Sequence, residues 1–272
     1  MKEVSKLLKR LNSSTDPFEA KIDNTFVYVK SFGGRWTNKV LINEYVCLNM
    51  AKALDIPIPE GGICNITENT DIKAVEDDID YGEDIKGIGF YSEKIYNVAP
   101  SIKAYTVFSN IINIEDINSI ILFDHLIYNI DRHKGNLLLH YGNTIEGYRM
   151  YLIDHSHVFN LRHNWDVAGL QKLMDKDDYK DKNILNDNYK DLYRYFFDIG
   201  AIKRDLLEKA AEKFKNTITK EFLDGIINNV PKVWYLKIED LNKLRDYIMY
   251  RLSHIDFIIE MILSYPYSLG GV

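Results

Sequence analysis

The 272 residues carry 46% hydrophobic and 27% charged side chains, an ordinary globular balance and enough chain for one large domain or two lobes around a sizeable core. A net charge of −6 without a basic stripe argues against direct nucleic-acid binding, and no apolar run approaches the roughly 18 residues of a membrane span. Only Cys47 and Cys64 are available for disulfides, and the opening M-K-E-V-S-K-L-L-K-R lacks a secretory apolar core, so a reducing cytoplasmic setting is expected.

In chain order, Phe26 to Lys30 is β-branched and aromatic and reads as a strand, punctuated afterwards by Gly33-Gly34. Period-2 alternation puts Lys30 on one face with Phe26 and Tyr28. Val40 to Leu54 has helical periodicity, with Thr37 or Asn38 as cap and Pro57 and Pro59 beyond its end. Leu41, Glu44, Leu48 and Ala51 share one stripe of that helix. A carboxylate in a core-facing stripe is unfavourable unless a cation meets it, and Lys30 is the candidate partner.

Gly62 to Ile66 and Gly87 to Ile95 read as further strands. Between them, Thr67 to Ile85 holds eight acidic residues against Lys73 and is expected to be a solvated loop; the lesser alternative is a docking patch for a basic partner. From Asn113 onward helices dominate. Asn113 and Asp116 resemble a cap on a nearly all-apolar helix running to Tyr128, whose exceptions, Asp124 and His125, are expected to anchor the adjoining loop by hydrogen bonds. The Asp/Lys/Asn-rich stretch Asp175 to Asp191 reads as a mobile connection or a solvated helix face. Helical patterns recur at Lys203 to Lys215, Thr219 to Asn229 and Ile238 to Leu263. The expected fold class is α+β: a small β-rich lobe over 1–100 and a larger helical lobe over 101–272.

The densest polarity lies in N-I-D-R-H-K-G-N-L-L-L, Asn129 to Leu139. Leu137 to Leu139 and Met150 to Ile153 read as the strands of one hairpin centred near Ile145, with turn residues at Tyr141 to Thr144. That register sets Asn136 opposite Asp154, about 5 Å away. Two oxygen-bearing side chains converging there suit a hard cation such as Mg²⁺ whose shell substrate phosphates complete. Asp131 faces the same space. His133, His155 and His157 with these aspartates offer a competing transition-metal site, but that reading leaves Lys30 and Glu44 without a role.

The order Lys30, Glu44, Asp131, Asn136, Asp154 is the order in which protein kinases present their catalytic groups. The pattern F-D-H-L-I-Y-N-I-D-R-H-K-G-N-L-L-L followed by L-I-D-H-S-H-V-F resembles the HipA-like kinases, and its D-R-H-x-x-N core is shared with phosphatidylinositol kinases. V-Y-V-K, V-L-I-N-E-Y, L-D-I-P-I-P-E, G-I-G-F-Y-S and V-P-K-V-W extend the likeness over nearly the whole chain.

The resemblance implies a two-lobed protein-kinase-like fold and an ATP- and Mg²⁺-dependent phosphotransferase. The implied acceptor is a Ser or Thr hydroxyl on a protein, with a small molecule or lipid head group as alternative. Asp131 would face the acceptor, Asn136 and Asp154 would hold the metal, and Lys30, set by Glu44, would touch phosphate. Arg132 and His133 are implied loop-fixing or phosphate-side groups. The strand from Ser92 to Ile95 would lead to the adenine site. Three departures stand out. The phosphate loop expected near Asn12-Ser13-Ser14-Thr15 has no glycine, His155-Ser156 follow the metal aspartate, and bulky Tyr28 faces the base. Ser13 and Ser14 are also candidate autophosphorylation targets. These departures motivate a rival, a nucleotide-binding regulator that transfers no phosphate.

Overall fold

The computed structural model describes residues 1–32, 38–79, 84–99, 105–142, 147–188 and 192–268. Gly33-Gly34, Thr37, Ile145, part of the hairpin turn (143–144) and acidic positions 80 and 83 lie outside them.

Six strands build one sheet: β1 (Lys2–Glu3), β2 (Lys6–Arg10), β3 (Phe18–Ile22), β4 (Thr25–Lys30), β5 (Gly61–Ile66) and β6 (Gly87–Glu93), in the order β1-β5-β6-β4-β3-β2. Only the β1–β5 pairing is parallel. Alternation decides the faces. Phe18, Ala20, Ile22, Val27 and Val29 enter a core with Leu7, Cys64 and Ile66, leaving Phe26, Tyr28 and Lys30 on the other face as expected. A Cβ at Gly89 would stand 2.5 Å from the Lys30 carbonyl oxygen, so the glycine of G-I-G-F lets β6 close on the end of β4 that carries the lysine.

Helix α1 (Lys39–Ala53) interrupts the sheet, and its apolar residues join the larger core of the helical part rather than the sheet's own. Then come α2 (Tyr105–Phe108), α3 (Ile117–Leu126), the hairpin β7 (Leu137–Tyr141) and β8 (Tyr148–Leu152), and, among the described residues, seven more helices. These are α4 (Val167–Asp175), α5 (Asn183–Asn188), α6 (Arg194–Asp198), α7 (Arg204–Thr217), α8 (Lys220–Asn228), α9 (Ile238–Ser253) and α10 (Ile255–Ser268). In α3, Ile117, Ile120, Ile121, Leu122, Phe123 and Leu126 are buried, an apolar gain on the order of 10 kcal/mol that offsets drawing Asp124 inside once it is paired. Among the described residues no helix is long and apolar enough to cross a membrane.

Several expectations need correction. The hairpin pairs Leu137 with Leu152, one residue off the expected register, so Asn136 aligns with Ile153 and Asp154 lies one step beyond. Asn113 does not cap the helix. Its side chain donates to Asp116 Oδ2 at 2.9 Å and accepts from Met150 N, because a short 3₁₀ turn (Ile114–Asp116) intervenes before α3. The C-terminal pattern is two helices broken at His254. Of the stretch Asp175 to Asp191, the described residues to Asn188 are not merely solvated: Asp178, Tyr179, Ile184, Leu185 and Asn188 are buried. Asp178 lies 3.0 Å from the fully buried guanidinium of Arg251, which satisfies the last carbonyls of α3 through His125 O and Leu126 O. In the acidic stretch, Glu76, Asp77 and Asp78 are exposed, as expected of a solvated loop.

Candidate active site

A cavity of about 560 Å³, a size typical of small-molecule sites, opens between the sheet and the helical part. Its walls are mainly apolar, including Leu48, Ile58, Phe90, Leu138 and Leu152, and its polar end holds Lys30, Glu44 and Asp154. The strand β6 and the residues after it, Ser92 to Val98, form one side. Tyr28 lines the same space; burial raises its phenol, and Lys94 lies 5.9 Å over its ring. Ser13 and Ser14 are exposed and do not line the cavity. Thr15 does, with its hydroxyl buried and without a partner among the described residues.

Lys30 makes the ion pair expected of it. Its ammonium donates to Glu44 Oε1, to Asp154 Oδ1 at 2.9 Å and to Ser156 Oγ at 2.5 Å. Burial disfavours its charge, but Asp154 and Glu44 outweigh burial and hold it well above its ordinary range. Glu44 also accepts from His155 N at 3.2 Å and Ser156 Oγ at 2.9 Å. Burial raises Glu44 against the pull of Lys30. Asp154 is also buried, but Lys30 and Ser156 more than compensate and hold it below the usual carboxylate range, making it the more acidic of the two.

Asp154 stands at φ 59, in the left-handed region that most L residues avoid and Asp and Asn enter more readily. In a regular strand, the observed register would put Asn136 and Asp154 on opposite faces. The left-handed step ends the extended run after Ile153 and removes that constraint. Ser156 was singled out in the sequence only as a departure; it touches all three charged groups.

On the other chain of the hairpin, Asn136 donates its amide to Asp131 O at 2.8 Å, leaving Oδ1 without a partner among the described residues. The Asp131 carboxylate likewise has no hydrogen bond or ion pair there, while its backbone N–H is held by Asn129 Oδ1 at 2.9 Å. Neither residue lines the cavity proper. Arg132 binds both chains of the hairpin, donating from Nη1 to Asn136 O at 2.6 Å and to Ile153 O at 2.8 Å. Wholly buried and paired with Asp124, it fixes the loop and has no face left for phosphate. His133 is exposed and accepts from Gly135 N through Nδ1 at 2.9 Å, capping the turn that carries Asn136.

The transition-metal alternative fails: His155 accepts from Arg132 Nη2 at 3.0 Å, and no group of three or more His, Cys, Asp or Glu residues is placed to hold a metal among the described residues. The donors that remain are oxygens, the Asp154 carboxylate on the cavity wall and the Asn136 amide oxygen just outside it, a donor type that fits a hard divalent cation. Asn43, missed in the sequence, ties α1 to the segment after Asp154. It donates to Ser156 O at 2.7 Å and Arg162 O at 3.0 Å and accepts from Trp165 Nε1 at 2.9 Å. Trp234 adds a second tie, donating to Ile88 O at 2.7 Å with its ring edge-on to Tyr45.

A strand lysine bonded to a helix carboxylate, above a D-x4-N loop and a strand-end aspartate, on a sheet followed by a helical body, defines the kinase-like class. Within it, a model of the HipA-like kinases matches residues 4–256, and the chain belongs to that family. Among solved structures, the Helicobacter pylori proinflammatory kinase CtkA matches at 14% identity and TM-score 0.58, over 97% of each chain. The Golgi casein kinase matches at 11% identity and TM-score 0.51, over 97% of this chain and 73% of that one. HipA of Shewanella oneidensis MR-1, crystallised with HipB and operator DNA, matches at 13% and TM-score 0.44, over 92% and 65%. At such identities the likeness of the first two concerns the fold, the two-part α+β architecture expected from the sequence. No curated protein matches the chain.

Proposed function

We propose that this HipA-like kinase is an ATP- and Mg²⁺-dependent phosphotransferase acting on a Ser or Thr hydroxyl of a protein, with the site between a lobe of residues 1–100 and one of residues 101–272. The observation that carries the reading is the meeting of Lys30, Glu44 and Asp154 at the polar end of one cavity, although Lys30 and Asp154 are 124 residues apart. The apolar walls suit a purine, with Tyr28 beside it and Ser92 to Ile95 along its edge. Asn136 and Asp154 would hold Mg²⁺, which when bound neutralises phosphate charge.

Lys30, held by Glu44, contacts phosphate. Asp131, whose carboxylate has no partner among the described residues, accepts the proton of the attacking hydroxyl. Arg132 and His133 hold the loop in place, so catalysis rests on positioning and electrostatics. Two buried free cysteines and a need for ATP fit the cytoplasm, where we place the protein.

Intact-mass spectrometry after incubation with Mg-ATP, with ATP turnover followed in parallel, tests this. Mass gain or turnover that falls by about 10²- to 10⁴-fold in Asp131→Asn is expected. Stabilisation by ATP without either would leave the silent regulator. No stabilisation by ATP would overturn nucleotide binding itself.

A further inference from the structure

Ser156 has one proton and two carboxylates competing for it. Its Oγ lies 2.7 Å from Asp154 Oδ1 and 2.9 Å from Glu44 Oε1, and it accepts from Lys30 Nζ at 2.5 Å. The three donors of the ammonium are distributed over Glu44, Asp154 and Ser156. Asp154 Oδ1 is crowded: Lys30 Nζ, Ser156 N at 3.3 Å and Ser156 Oγ all point at it. The carboxylates differ in setting, since the Glu44 side chain is 6% exposed and that of Asp154 27%. The serine itself is fully buried, and its carbonyl is held by Asn43, so its freedom lies in the direction of the hydroxyl hydrogen.

We propose that Ser156 is a positioning residue whose hydroxyl turns from Asp154 to Glu44 when a divalent cation and nucleotide engage Asp154. This rests on the phosphotransferase reading. A cation on Asp154 withdraws electron density and weakens that carboxylate as an acceptor. Contact with phosphate at the same time weakens the Lys30 bond to Glu44 without breaking it. A buried carboxylate with a weakened donor is costly, and the turned hydroxyl compensates for it. Without it, Lys30 has two acceptors instead of three and is held more firmly on Asp154, where it competes with the cation. Ser156 thus couples occupancy of Asp154 to the integrity of the Lys30–Glu44 pair.

The test is Mn²⁺ binding by electron paramagnetic resonance in the presence of a non-hydrolysable ATP analogue, alongside Mg²⁺ titration of ATP turnover and thermal unfolding. Ser156→Ala is expected to bind Mn²⁺ about tenfold more weakly, the equivalent of one hydrogen bond to a charged group. It should need correspondingly more Mg²⁺ and melt below wild type, because a buried ion pair loses a donor and an acceptor. Ser156→Thr, which keeps the hydroxyl, should restore both. Equal Mn²⁺ affinity in wild type and Ser156→Ala overturns this inference alone. Equal impairment of the Ala and Thr variants with lowered melting temperatures reassigns Ser156 to packing and overturns it too. A wild type that takes up no Mn²⁺ with the analogue overturns the phosphotransferase reading, and this inference with it.

Discussion

Two clusters of buried charge lie within a few residues of each other, one closed and one open. Around Arg132 all five guanidinium N–H groups are used, on both Asp124 oxygens, Asn136 O, Ile153 O and His155 Nε2. Asp124 also accepts from Tyr193 and Asn129, and the pair is 0% exposed. Around Lys30 the ammonium is equally occupied, but Asp154 Oδ2 has no partner among the described residues and the cluster borders a cavity. Similar ingredients therefore serve different ends. A network completed inside the protein fixes backbone, whereas one left incomplete on a cavity wall has bonding capacity for a ligand.

Breaking the closed cluster should have the largest effect on stability. Arg132→Met leaves Asp124 buried without its cation and is expected to destabilise by about 3–5 kcal/mol in urea unfolding. Breaking the open cluster should separate stability from chemistry. Lys30→Met should destabilise by about 1–2 kcal/mol, because Asp154 is partly solvated and Glu44, already raised by burial, can take a proton. ATP turnover should nevertheless fall at least about 100-fold. A stability loss for Lys30→Met as large as for Arg132→Met would erase the distinction.

A smaller effect concerns a gap near the closed cluster. His125 is fully buried, its ring nitrogens have no partner among the described residues, and burial, assisted by Arg251, lowers its pKa to about 3. The unfolded imidazole takes a proton near pH 6.5, so between about 3 and 6.5 the unfolded state binds more protons and stability falls as pH drops. His125→Leu removes that term. Its stability relative to wild type should rise by about 1.4 kcal/mol per pH unit below pH 6.5 and stay level above, measured by unfolding from pH 5 to 8.

How far these clusters were legible depends on sequence distance. Lys30 and Glu44 could be paired because period 2 and period 3.6 each place one polar group on an apolar face. Asp131, Asn136 and Asp154 stood out through their spacing. Asn43 and Ser156 did not, because a polar residue reveals its partner only once the fold brings Trp165 or Lys30 to it. Register slipped by one because apolar runs on both hairpin strands leave their pairing underdetermined. The break at His254 is invisible to periodicity, since the apolar pattern runs straight through it. The stretch from Asp175 to Asp191 misled because its polar composition conceals Asp178, buried as the counter-ion of Arg251.

The left-handed backbone at Asp154 sets this position against itself. Glycine would adopt φ 59 without strain and asparagine more readily than most residues, yet neither brings the negative charge to the site. Under the proposed function, glycine here would relieve the backbone and remove the metal-binding carboxylate together, so stability and activity would pull this position in opposite directions.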